Sequence, residues 1–127
     1  MKLHCFFAIY FVLLSSSLSA NEVQLKQLTS GLAVPWGMAF ISATEILFSE
    51  RQGKLGIVDT ITGDVSRVSG LPDIFAQGQG GLMDVAVPPD FKQQGWIYFT
   101  YSKNIKGQGA TTLARARLKD NRLTQWT

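Results

Sequence analysis

The sequence holds one histidine and one cysteine, His4 and Cys5, both at its extreme N-terminus. Beyond Cys5, disulfides and zinc sites built on His or Cys are excluded. Ser-His-Asp and Cys-His nucleophilic centres are excluded too. Acid-base work near neutral pH would fall to a tuned carboxylate, lysine or tyrosine. Charge is also sparse, at 17% of residues against roughly 25% in a typical soluble domain. The net charge of +3 includes Lys2, and lysines and arginines nowhere cluster. That excludes a basic nucleic-acid footprint. The apolar run Cys5–Leu14 is shorter than the roughly 20 residues of a membrane-spanning helix.

That run reads as part of a targeting segment. Lys2 supplies the positive start, Cys5–Leu14 the apolar centre, and Ser15–Ala20 (SSSLSA) the small residues before cleavage after Ser19 or Ala20. Residues 1–20 are therefore expected to be a signal peptide, which places the protein in the periplasm or secretes it without stable membrane insertion. Cleavage removes both His4 and Cys5. Residues 21–127 have room for one small domain, and a 46% hydrophobic composition argues against disorder.

After Ala20 helical periodicity is absent, and short apolar runs alternate with turn residues, the pattern of an all-β fold. The expected strands are Val23–Leu28, Trp36–Ile41, Glu45–Ser49, Lys54–Val58, Val65–Val68, Gly81–Val87, Trp96–Tyr101, Thr111–Leu118 and Arg122–Trp126. Met38-Ala39-Phe40 matches Val85-Ala86-Val87 at an offset of 47. Ile46-Leu47-Phe48 matches Ile97-Tyr98-Phe99 at 51, while Leu55 with Leu113 and Val65 with Leu123 match at 58. Two copies of a four-stranded unit of this size are the mark of β-propeller blades. Two blades cannot close a ring and would leave apolar faces and open edges. The chain is therefore expected to be the N-terminal piece of a longer propeller, with Val23–Leu28 fastening the ring. The alternative is a small β-domain that assembles from several chains.

The segment Ala76–Asp84 (AQGQGGLMD) concentrates glycine where the backbone needs unusual dihedrals or close approach. It is neither a dinucleotide fingerprint nor a P-loop, since no helix and no Gly-Lys-Ser/Thr follow. In a propeller it lies at the mouth of the central channel, where a glutamine offers both a donor and an acceptor. Arg115 and Arg117 project from one strand face, which reads as solvated, with anion contact as the competing reading. Glu50 and Arg51 read as a local ion pair, Lys103–Gly109 as a polar hairpin tip, and Asp90 as a turn residue. Trp36, Phe40, Trp96, Tyr98 and Phe99 read as blade packing.

Seven motifs in order carry a resemblance: Leu32–Phe40 (LAVPWGMAF), Glu50–Leu55 (ERQGKL), Gly70–Ile74 (GLPDI), Gly78–Ala86 (GQGGLMDVA), Pro89–Phe91 (PDF), Ile97–Ser102 (IYFTYS) and Thr111–Leu118 (TTLARARL). The chain resembles the N-terminal part of the soluble, pyrroloquinoline-quinone (PQQ)-dependent sugar dehydrogenases of the glucose/sorbosone and aldose type. The resemblance implies a six-bladed propeller of which this chain supplies about the first two blades. It also implies an exported oxidoreductase that takes aldose sugars to lactones, with PQQ at the channel mouth and Ca2+ in support. The family's glutamine that reaches the substrate and quinone matches Gln79, not Gln77. The family's catalytic histidine, in a His-x-Gly-Gly-Arg-Leu stretch, has no match here, and the main cofactor and calcium ligands also lie outside this sequence. No catalytic residue or metal ligand is therefore assigned to this chain, and the electron acceptor is not legible. Asp84 follows the glycine loop and reads as structural rather than acid-base. A propeller that binds without redox chemistry is the alternative.

Overall fold

The computed structural model describes residues 23–127; the signal peptide expected at 1–20 lies outside the described residues. Each repeat folds into one four-stranded antiparallel meander. The first is β1 (Pro35–Phe40), β2 (Glu45–Glu50), β3 (Lys54–Asp59) and β4 (Val65–Val68). The second is β5 (Leu82–Ala86), β6 (Trp96–Ile105), β7 (Gln108–Lys119) and β8 (Arg122–Thr124), with a four-residue helix α1 (Phe91–Gln94) before β6. These are the two expected blades.

Tight turns make neighbouring strands in sequence neighbours in space. Asp59 caps the β3–β4 turn, its Oδ1 accepting the N–H groups of Ile61 and Thr62. Lys106-Gly107 and Asp120-Asn121 all have positive φ. That is the two-residue hairpin geometry that matches strand twist. The polar stretch Lys103–Gly109 is therefore mostly strand, with its tip confined to Lys106-Gly107. Asp90 is a turn residue as expected, and its carbonyl accepts the Gln93 and Gln94 N–H groups to start the short α1.

The repeat extends to an irregularity. β1 skips register between Pro35 and Met38, and β5 between Leu82 and Val85, at equivalent positions. In each skip a backbone amide turns to a hydroxyl on the next strand. Gly37 N–H donates to Ser49 Oγ at 3.0 Å, and Asp84 N–H donates to Thr100 Oγ1 at 3.2 Å. Both residues of each pair follow the 47- and 51-residue offsets.

The fourth strand departs from the repeat. Val58 pairs with Val65, but Arg117 pairs with Thr124 and Leu118 with Leu123. The Val65–Leu123 match keeps the strand face and misses the register by two residues.

The core lies between the blades. Leu47, Leu55, Ile57 and Val68 of the first face Leu82, Val85, Ile97, Phe99, Tyr101, Ala114, Ala116 and Leu123 of the second. Ala114 and Ala116 are small enough to let the sheets approach, and Phe99 packs on Trp126 with ring centroids 4.8 Å apart. At the inner edge Ser49 Oγ donates to the Met83 carbonyl, joining β2 to β5. At the outer edge Ser69 exchanges backbone hydrogen bonds with Asn121 and Leu123, and Trp126 Nε1 donates to Gly70 O.

Val23–Leu28 forms no strand, and Val23 and Leu25 are exposed. An alternating run becomes a strand only against a free edge, and it meets none in these two blades. Its last residue and the chain after it do pack: Leu28 and Leu32 cover Ile46, Phe48 and Val58 on the far side of the first blade.

Candidate functional site

The glycine-rich segment leaves the outer edge of the first blade and enters β5, the innermost strand of the second. Phe75 N–H donates to Ser102 O and Ser102 N–H to Gly81 O, tying the loop's start and end to β6. A turn closes between them, with Gly80 N–H on Gln77 O at 2.8 Å. Gly78 takes φ of +55° and Gly81 +153°. At Gly81 a Cβ would lie 2.3 Å from Arg51 O, so only glycine lets the loop lie against the first blade.

The result is an open cavity of about 260 Å³ lined by Phe75, Gln77, Gln79, Gly80, Met83, Ser102, Gly109 and Thr111. Its side-chain chemistry is neutral: two amides, two hydroxyls, an aromatic ring and a thioether. Such a wall can donate to and accept from a polyhydroxylated or carbonyl-bearing ligand, with apolar surface for its C–H faces. The structure brings Gln77 and Gln79 to this one cavity, although the motif match distinguishes only Gln79.

Asp84 lies elsewhere, in a smaller pocket with Tyr98, Thr100 and Leu113. Its Oδ1 accepts the Val85 N–H at 2.9 Å, so the carboxylate satisfies a backbone donor, in keeping with a structural role. A Cβ on Gly37, its counterpart in the first blade, would meet Asp84 Cα at 2.8 Å.

Glu50 and Arg51 do not pair with each other. Glu50, only 1% exposed, accepts the Ala33 N–H at 2.6 Å and pairs with Arg67 from β4. Burial alone would raise its carboxyl pKa. The Ala33 N–H, the Arg67 hydrogen bond and the charges of Arg67 and Lys54 outweigh burial and hold it below the ordinary carboxylate value. Arg51 turns the other way. Its Nη1 donates to the carbonyls of Gly78 at 2.6 Å and Gly80 at 3.1 Å. Arg51 lies just past the end of β2 and reaches across to the glycine loop, while Glu50 is taken by Ala33 and Arg67, so the expected local pair does not form.

Arg115 and Arg117 stack on Trp96 at 4.4 and 4.7 Å, and donate to Thr127 Oγ1 and Gln94 O. They project from the face opposite the buried Ala114 and Ala116, with Arg115 exposed as expected of a solvated face, and their guanidinium groups rest on the blade's own aromatic. Phe99 is core, as expected, whereas Trp36 and Phe40 are 53% and 64% exposed on the outer face of β1.

Comparison with known proteins agrees with this geometry. The family described as Glucose / Sorbosone dehydrogenase matches residues 32–127. The aldose sugar dehydrogenase YliI of Escherichia coli is 35% identical over 125 residues, which cover 95% of this chain and 34% of that protein. A solved glucose dehydrogenase aligns with a TM-score of 0.74 and 34% identity, over 80% of this chain and 33% of that one. The PQQ-bound aldose sugar dehydrogenase of Streptomyces coelicolor aligns at 0.73 over 81% of this chain and 31% of that one; at 23% identity it speaks for the fold alone. The chain spans about a third of the length of the curated relatives it matches. With the family match running from the segment before β1 to the last residue, and two blades in the same arrangement, this chain belongs to the glucose/sorbosone dehydrogenase family.

Proposed function

We propose that this chain contributes the first two blades of an exported, quinone-dependent aldose dehydrogenase, with Gln79 at the substrate and quinone pocket. The observation that carries the reading is the neutral amide-and-hydroxyl cavity around Gln79 where the glycine loop enters the innermost strand. The loop lies in the motif GQGGLMDVA, and the family match runs through it.

The chemistry of the lining fits one side of such a ligand. PQQ, when bound, accepts hydride from the sugar carbon bearing the hydroxyl. Quinone carbonyls and sugar hydroxyls suit the amides of Gln77 and Gln79 and the hydroxyls of Ser102 and Thr111. The lining carries no cationic side chain. The carboxylates of PQQ are thus assigned to other blades of the ring. The family resemblance likewise puts the main calcium ligands outside this sequence.

The residues here bind and orient. The Gln79 amide can accept from one sugar hydroxyl and donate to a second oxygen, which narrows the poses open to the reacting carbon. Phe75 and Met83 present apolar surface to the sugar's C–H face. Histidine is absent beyond residue 4. The base that takes the hydroxyl proton accordingly belongs to another blade. Among the described residues no helix is long and apolar enough to cross a membrane. Export rests on the Met1–Ala20 pattern, and residues 21–127 are then the N-terminal part of the propeller domain.

Dye-linked oxidation tests the reading. The protein with its ring complete, loaded with PQQ and Ca2+, should reduce an artificial acceptor dye on addition of aldoses. Gln79→Ala should lower kcat/KM by about 2- to 13-fold, the loss of one neutral hydrogen bond worth roughly 0.5–1.5 kcal/mol. Sugar binding without dye reduction, measured by calorimetry across a panel of aldoses, would overturn the redox reading in favour of a binding propeller.

A further inference from the structure

We propose that Arg51 is a positioning residue for Gln79: its guanidinium holds the glycine loop in the shape that aims the glutamine into the cavity. The inference rests on the reading of Gln79 as a pocket residue and adds a residue of the neighbouring blade to it.

Arg51 is the first residue after β2, yet each of its hydrogen-bonded groups reaches away from its own hairpin. Its N–H donates to Val34 O at 2.9 Å, and its carbonyl accepts the Leu82 N–H at 3.0 Å. Its Nη1 takes the carbonyls of Gly78 and Gly80 together. The first belongs to the peptide that precedes Gln79 and the second to the peptide that follows Gly80, so the pair brackets Gln79-Gly80. Arg51 thus holds the peptide plane before Gln79, the Gly80 N–H on Gln77 O holds the plane after it, and together they restrain the direction of the Gln79 Cα–Cβ bond. The loop needs such an anchor, because glycines lose the most conformational freedom on ordering, and Gly78, Gly80 and Gly81 surround this residue. Within the turn, one main-chain hydrogen bond, Gly80 to Gln77, opposes that freedom. A charged donor shared by two carbonyls is stronger than a neutral one. The absence of a Cβ at Gly81 lets the loop settle directly on the Arg51 backbone. A purely structural bridge between blades would predict a different outcome: loss of Arg51 would weaken the fold without acting through Gln79.

Four variants separate the two: Arg51→Ala, Arg51→Lys, Gln79→Ala and the double variant Arg51→Ala/Gln79→Ala. Hydrogen exchange followed by mass spectrometry, on the cofactor-free protein, should show the 76–84 peptide exchanging at least tenfold faster in Arg51→Ala. Arg51→Lys should show a smaller rise, and peptides from β2 and β6 should be unchanged. In dye-linked turnover, Arg51→Ala should raise the apparent sugar KM several-fold when Gln79 is present. It should raise it no further in the Gln79→Ala background, since acting through one side chain makes the effects non-additive. Unchanged loop exchange would overturn the proposal, and so would an equal KM penalty with and without Gln79. If Arg51→Ala does not fold, Arg51→Lys alone and combined with Gln79→Ala carries both readouts. If the loop loosens as expected but no aldose is oxidised even by the parent protein, the clamp stands and the dehydrogenase reading falls.

Discussion

Glu50 shows how a single buried carboxylate ties three segments together. It holds the chain before β1 through Ala33 and β4 through Arg67, and Arg67 in turn lies over the Phe48 ring, 5.7 Å from its centroid. Its pKa is held below the unfolded value, so the unfolded chain binds the extra proton first and stability rises with pH across that interval. The contribution is complete above the unfolded carboxylate value of about 4.3 and fades as pH falls through the lower folded value. Glu50→Gln should therefore cost about 1–3 kcal/mol at pH 7. The deficit should vanish toward pH 2, so that urea unfolding free energies of variant and parent converge in acid. A deficit equal at both pH values would show that packing, not charge, is at stake. The same residue marks the limit of what single positions disclose. The glycine-rich setting marked the loop, and the motif match singled out Gln79 within it; the structure places both Gln77 and Gln79 on the cavity wall. The role of Arg51 was not legible, because its partners lie 27 and 29 residues away and nothing local specifies them. Arg115 and Arg117 were placed on one strand face correctly. Their stacking on Trp96 follows from β6–β7 register, which alternation alone does not fix.

At the level of the strands, alternation and turn residues suffice for existence and order, and the offsets of 47 and 51 recover the register skips without naming them. What escaped were lengths and context. β6 and β7 run on to Ile105 and from Gln108, because two positive-φ residues close their hairpin more tightly than a polar loop suggests. Val23–Leu28 has a strand's pattern and no strand, because pairing depends on an edge that its own sequence does not contain. The paired hydroxyls make a comparison possible. Ser49 is fully buried and serves Gly37 N–H and Met83 O at once, so Ser49→Ala leaves a buried amide and a part-buried carbonyl without this partner. Thr100, only half-buried, serves the single Asp84 N–H. Urea unfolding should place Ser49→Ala about 1–3 kcal/mol below the parent, with Thr100→Val markedly milder. Equal costs would mean that the Ser49 link between blades contributes nothing beyond its own hairpin.

The described residues form two blades with one shared face and two open ones. Leu55 and Leu113 are counterparts, pairing with Ser49 and Thr100 respectively. Leu55 is 1% exposed because the second blade covers it, while Leu113 is 72% exposed. By the internal symmetry, Leu113 presents to a following blade the face that Leu55 presents to this one. On the opposite side Trp36, Met38 and Phe40, exposed by 53%, 74% and 64%, form the matching open face of the first blade. Apolar surfaces of this kind on a soluble chain are interaction sites or aggregation liabilities. In a closed ring, Leu113→Ala should cost about 2–5 kcal/mol, as for a buried leucine. Residues 21–127 produced by themselves should instead self-associate, with sedimentation velocity showing species that grow with concentration. Met38→Asp with Leu113→Asp should suppress them, since a carboxylate on each face must then be desolvated for two copies to meet. A parent segment that stays monomeric, melts cooperatively and takes up no apolar dye would mean that these faces need no neighbouring blades, and a self-sufficient β-domain would replace the slice of a ring.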